Sequence, residues 1–106
     1  MHTYAQADFL TLDQVEPLEF SGLVKLSLEM RNSTFAPAVL NGQSIVLLFE
    51  KPSLRTRVTF EVAVRRLGGW PILLAGSEAR LGQRESIPDM ARNLSLWVDG
   101  IIARVY

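Results

Sequence analysis

The chain has 106 residues, 48% of them hydrophobic, and its eleven basic and eleven acidic side chains cancel. That length suits one small domain spanning residues 1–106, and the apolar share supports a folded core rather than a disordered chain. A net charge of zero gives no general attraction to nucleic acid or an anionic membrane, so any anion site must be local. Without cysteine there is neither a disulfide nor a thiolate metal site.

The opening Met1 to Leu10 lacks the basic and apolar regions of a secretory signal, and no uncharged apolar run approaches the about 20 residues of a bilayer span. The expectation is a soluble, cytoplasmic domain.

In chain order, Glu16-Pro17 opens a helix with proline in its first turn, where a missing N–H costs nothing. Phe20, Leu23, Val24 and Ser27 follow the spacing of a half-buried face, and Gly22 weakens the helix. Asn32 to Gln43, with Pro37 and Asn41-Gly42, reads as a connection. Ser44 to Phe49 is a continuous apolar run, which suits a strand covered on both faces. A second helix is predicted from an N-cap at Ser53, with Phe60, Ala63, Val64 and Leu67 on one face and Gly68-Gly69 as its stop.

Ile72 to Leu74 is predicted as the second strand, with Pro71 at its entrance. A third helix follows Ser86, with Asp89 completing a variant capping box and Met90, Leu94, Trp97 and Val98 as its apolar positions. Gly100 leads into a third strand, Ile101 to Val105. The order α-β-α-β-α-β argues for an α/β fold: three layers, with a short parallel sheet between helices. Trp70 and Trp97 read as core or interface residues rather than a cofactor box.

Parallel strands joined by helical crossovers end on one edge, where open α/β folds bind ligands. The first strand is followed there by Glu50-Lys51-Pro52-Ser53-Leu54-Arg55-Thr56-Arg57. A helix start flanked by two hydroxyls and three cations suits a phosphate group; it also suits a plain N-cap serine before a solvated basic turn, and chemistry alone leaves both open. The spacing is not that of a Walker loop. Ala75 to Glu85, with Arg80, Gln83 and Arg84, is longer than the usual connection, and reads equally as a functional loop or a surface insertion. Arg104 ends the third strand: alone it would be a solvated strand end, but beside Ser53 to Arg57 it could face the same oxyanion. No His, Cys, Asp or Glu set has metal-ligand spacing, and no base stands near Ser53 to make it a nucleophile.

Taken together, Phe49 to Arg57 (F-E-K-P-S-L-R-T-R), Leu81 to Ala91 (L-G-Q-R-E-S-I-P-D-M-A) and the Ile101 to Tyr106 ending resemble the aspartate/ornithine carbamoyltransferase family. The match runs from Phe9-Leu10-Thr11-Leu12 onward, over nearly the whole chain. The resemblance implies the carbamoyl-phosphate-binding domain of that family, with phosphate held by Ser53, Leu54 (through its backbone), Arg55 and Thr56. It implies that Arg104 contacts the carbamoyl oxygen and the phosphate, making Arg55 and Arg104 the catalytic pair. Arg57 matches a structural position in the turn. Arg80 matches a loop position that reaches a neighbouring subunit's site in the family's trimer, although that position is often Gln or His. Leu54 stands where threonine is commoner, and Met90 where the family usually has Thr.

Lys51 before Pro52, and a second loop with Gln83-Arg84 and no lysine, favour the ornithine branch over the aspartate branch. The implied reaction converts carbamoyl phosphate and L-ornithine to L-citrulline and phosphate, within arginine biosynthesis and ornithine metabolism. It uses neither metal nor organic cofactor, and nucleic acid and membrane are not implied as partners. The family's H-P-x-Q element, fourth strand and amino-acid-binding domain lie outside these 106 residues, so the expectation is that they do not form citrulline alone. A third strand lacking its neighbour is expected to favour self-association. Two alternatives stay open: a carbamoyltransferase for another amine, such as acetylornithine or putrescine, and a non-catalytic anion-binding or oligomerisation module.

Overall fold

The computed structural model describes residues 8–32, 37–50, 53–75 and 86–105. The chain divides into two compact units, Met1–Phe35 and Ala36–Tyr106.

In the first unit a 3-10 turn, Leu12–Gln14, precedes helix α1, Pro17–Asn32. Thr11 and Gln14 form a capping box in which the Gln14 carboxamide oxygen accepts from the Thr11 N–H at 2.9 Å. That T-x-x-Q signature is legible in the sequence. Proline takes the first helical position as expected. The half-buried face does not form: α1 buries none of its residues, and Phe20 and Val24 are exposed. Spacing alone gives an apolar stripe but no cover, and the described residues of this unit supply no second layer for α1.

The second unit carries strand β1 (Ser44–Phe49), helix α2 (Leu54–Arg66), strand β2 (Trp70–Ala75), helix α3 (Ile87–Trp97) and strand β3 (Gly100–Arg104). The strands are parallel in the order β2-β1-β3, so β1 is central. This is the expected α/β class, and β1 shows why its run is continuously apolar: Ile45 to Phe49 are all buried. Ile45, Leu47 and Phe49 pack with Val64 of α2, alongside Leu40, Leu73 and Ile102. On the opposite face Val46 and Leu48 meet Leu74, Met90, Leu94 and Val98, so α3 covers that side. Three layers result: α2, sheet, α3.

Of the two readings for the tryptophans, core or interface, the core one does not hold: Trp70 and Trp97 are 65% and 71% exposed. Trp97 lies off the stripe that α3 turns to the sheet, whereas Met90, Leu94 and Val98 lie on it. Trp70 begins β2, where the Arg65 guanidinium lies over its ring, 5.9 Å from the centroid.

Element boundaries also shift slightly. β2 is longer than Ile72 to Leu74 and includes Pro71 inside its first turn of pairing, opposite Ile45. The Trp70 N–H donates to the Gln43 carbonyl at 2.8 Å, so the next amide nitrogen, that of Pro71, faces the open edge and no ladder bond is lost. β3 begins at Gly100 rather than Ile101.

The stop after α2 is steric as well as conformational. Gly68 has φ +90°, which side chains rarely adopt, and a Cβ on Gly69 would lie 2.9 Å from Val64 Cγ1. At α3 the expected capping box is half made: Ser86 Oγ accepts from the Asp89 N–H at 3.2 Å, while the Asp89 carboxylate pairs with Arg92 at 2.7 Å. No helix among the described residues is long and apolar enough to cross a membrane.

Candidate functional site

The register fixes which strand ends are neighbours. Phe49 is paired with Ala75 of β2 on one side and Arg104 of β3 on the other, so the carboxyl ends of β1, β2 and β3 share one edge. The pairing runs one step further, with the Glu50 N–H donating to the Arg104 carbonyl at 3.0 Å. This anchors the Arg104 backbone beside the β1–α2 connection.

Ser53 is the N-cap of α2. Its extended backbone (φ −163°) turns the side chain back over the helix start, where Oγ accepts from the Thr56 N–H at 3.4 Å. That bond is long, and the Leu54 and Arg55 amides precede the first intrahelical bond, which Arg57 N–H makes to Ser53 O at 3.2 Å. The first turn of α2 thus presents N–H groups at the positive end of the helix. It contains no acidic residue to neutralise that end.

Thr56 lies in this turn, and its Oγ1 accepts a hydrogen bond from Arg104 Nη1 at 2.8 Å. Two segments 48 positions apart are thereby joined by side chains, partly shielded from solvent. Ser53, Thr56, Arg57 and Arg104 are half-buried, whereas Arg55 is exposed. Leu54 exposes its side chain at 69%, an apolar group at the mouth of an otherwise polar turn. Together the donors available are two backbone amides, two hydroxyls and the guanidinium groups of Arg55 and Arg104, an arrangement suited to an acceptor-rich tetrahedral anion.

The structure therefore brings together Ser53, Leu54, Arg55, Thr56 and Arg104 at one edge. Lys51, Arg80, Gln83 and Arg84 lie outside the described residues. The Thr56–Arg104 bond was beyond sequence reasoning, since nothing local couples the two positions; strand order was the signal that could have suggested it. Among the described residues no group of three or more His, Cys, Asp or Glu side chains could hold a metal ion.

Fold and site define a class: an open parallel α/β domain with an anion-suited helix start and an arginine converging at the carboxyl edge of the sheet. The particular family follows from comparison. Residues 7–106 match the family described as aspartate/ornithine carbamoyltransferase, carbamoyl-P binding domain, and the chain belongs to it. The ornithine carbamoyltransferase of Deinococcus radiodurans is 43% identical over 103 residues, which make up 96% of this chain and 33% of that protein. The solved ornithine carbamoyltransferase from Pyrococcus furiosus superposes with a TM-score of 0.88 at 36% identity, covering all of this chain and 35% of the other. An N-acetyl-L-ornithine transcarbamylase solved with carbamyl phosphate and N-succinyl-L-norvaline gives 0.78 at 31% identity, over 92% of this chain and 32% of its own. The chain spans about a third of the length of the curated relatives it matches.

Proposed function

We propose that the Ser53–Thr56 turn and Arg104 bind the phosphoryl group of carbamoyl phosphate. Ser53, Thr56 and the amides of Leu54 and Arg55 donate to phosphate oxygens, and the Arg55 guanidinium closes over them. Arg104 reaches both the phosphate and the carbamoyl oxygen. The observation that carries this reading is the Arg104–Thr56 hydrogen bond, which puts the strand-end arginine and the helix start within reach of one ligand.

In the whole protein the proposed reaction is attack by the uncharged side-chain amine of ornithine on the carbamoyl carbon. A C–N bond forms, the C–O bond to phosphate breaks, and the proton lost by the amine leaves with the departing phosphate. Arg104 stabilises the negative charge that develops on the carbamoyl oxygen, an effect typically worth about 3–4 kcal/mol of barrier for one such donor. The setting proposed for this activity is a cytoplasmic homotrimer serving arginine biosynthesis, with Arg80 reaching a neighbouring subunit's site.

Ornithine is the proposed amine because Lys51 precedes Pro52 and the second loop carries no lysine. A second reading, N-acetylornithine, is supported by the likeness to N-acetyl-L-ornithine transcarbamylase, at lower identity than the ornithine enzymes.

Calorimetric titration of the 106-residue chain with carbamoyl phosphate tests the site. Arg55→Ala and Arg104→Ala should each weaken binding by about tenfold or more while the far-UV circular dichroism stays unchanged. Unchanged affinity in both variants would remove the assignment.

A further inference from the structure

Arg104 has a well-fixed backbone and a side chain that must be aimed. Its main chain is paired with Phe49 in the β1–β3 ladder and accepts from the Glu50 N–H at 3.0 Å. Beyond Cβ the side chain is a flexible stem, and an untethered arginine carries rotamer entropy that a ligand must remove on binding.

The group that holds it is Thr56 Oγ1, 2.8 Å from Nη1. Thr56 is itself constrained, being β-branched, in the first turn of α2, and capped through its own N–H by Ser53. Because the guanidinium is rigid and planar, fixing one Nη on a fixed hydroxyl restricts the plane of the whole fork. Thr56 takes one of its five N–H donors, and among the described residues the others stay available to an acceptor.

We propose that Thr56 is a positioning residue for Arg104, its hydroxyl holding the guanidinium oriented toward the helix start before any ligand arrives. This role is separate from a direct contact between the Thr56 hydroxyl and phosphate. Its effect on affinity rests on the site reading given above, whereas the tether itself does not.

The test compares the unsubstituted chain with Thr56→Val, which keeps the shape and removes the hydroxyl, and Thr56→Ser, which keeps the hydroxyl. One readout is the affinity for inorganic phosphate. The other is the NMR order parameter of the Arg104 Nε–H in the ligand-free protein. Thr56→Val should weaken phosphate binding by about tenfold and lower the order parameter from the rigid range to below about 0.6, while Thr56→Ser stays within about twofold of the parent.

An Arg104 order parameter unchanged in Thr56→Val would overturn the proposal, and any loss of affinity would then belong to direct contact alone. Tighter phosphate binding in Thr56→Val would also overturn it, by showing that the hydrogen bond competes with the ligand. If Arg55→Ala and Arg104→Ala leave affinity intact while Thr56→Val still mobilises Arg104, the tether stands and the ligand site does not.

Discussion

Asp99 and Ser44 hold each other twice: the Ser44 N–H donates to Asp99 Oδ2 at 2.8 Å, and the Asp99 N–H donates to the Ser44 carbonyl at 2.9 Å. The pair sits where β1 begins and just before β3, so it fixes the register that later places Phe49 opposite Arg104. A contact at one end of the sheet thus helps to set the site at the other.

Asp99→Ala should cost about 1 kcal/mol, since the bond to Asp99 is charge-assisted but solvent-exposed. Asp99→Asn, which retains a carbonyl oxygen as acceptor, should recover part of that loss. Urea midpoints at constant m-value provide the measurement, and equal stability of Asp99→Ala and the parent would show that the ladder alone sets the register.

Gly69→Ala should destabilise the fold by about 1–3 kcal/mol, because the added methyl lies 2.9 Å from Val64 Cγ1 and 3.1 Å from Leu40 Cβ, and Val64 is a core residue. Pairing it with Val64→Ala, which frees that space, should give less than the sum of the two single losses. Thermal unfolding of the three variants checks this.

Leu47→Ala removes the most buried side chain of β1 and should cost about 2–5 kcal/mol. Against a total stability of about 5–15 kcal/mol for a domain of this kind, that is a large fraction. Denaturation monitored by circular dichroism should show a clear fall in midpoint.

Trp97→Gln should change the stability of the 106-residue chain by no more than about 0.5 kcal/mol, as expected for a side chain 71% exposed. A loss of several kcal/mol would instead place Trp97 among the residues that hold the fold together.

Much of this fold was legible because its elements obey strong local rules. A strand buried on both faces must be continuously apolar, and Ile45 to Phe49 is. Ser53 and Ser86 are good helix caps, and both cap helices. The failures lie where a residue's environment is decided at a distance. Periodicity identified an apolar stripe on α1 but could not say that the described residues of its unit would leave it uncovered. It also grouped Trp97 with Met90, Leu94 and Val98, although one step around the helix moves it off the sheet-facing side. Pro71 was expected at a strand entrance because its place on an edge strand, with its nitrogen turned outward, follows only from strand order.

For the site, the helix start and the arginine could each be found in the sequence, but composition could not separate a ligand site from a capped basic turn. Strand order settled their proximity: β3 lies beside β1, so Arg104 meets Thr56 rather than solvent.

The measurement that bears most directly on the central claim is an amide NMR titration of the 106-residue chain with carbamoyl phosphate. Saturable shifts should concentrate at the amides of Leu54, Arg55 and Thr56 and at Arg104, with Ser44, Trp70 and Asp99 at the other edge unmoved. Saturable shifts centred on Ser44, Trp70 and Asp99, or no response at Leu54 to Thr56, would contradict it.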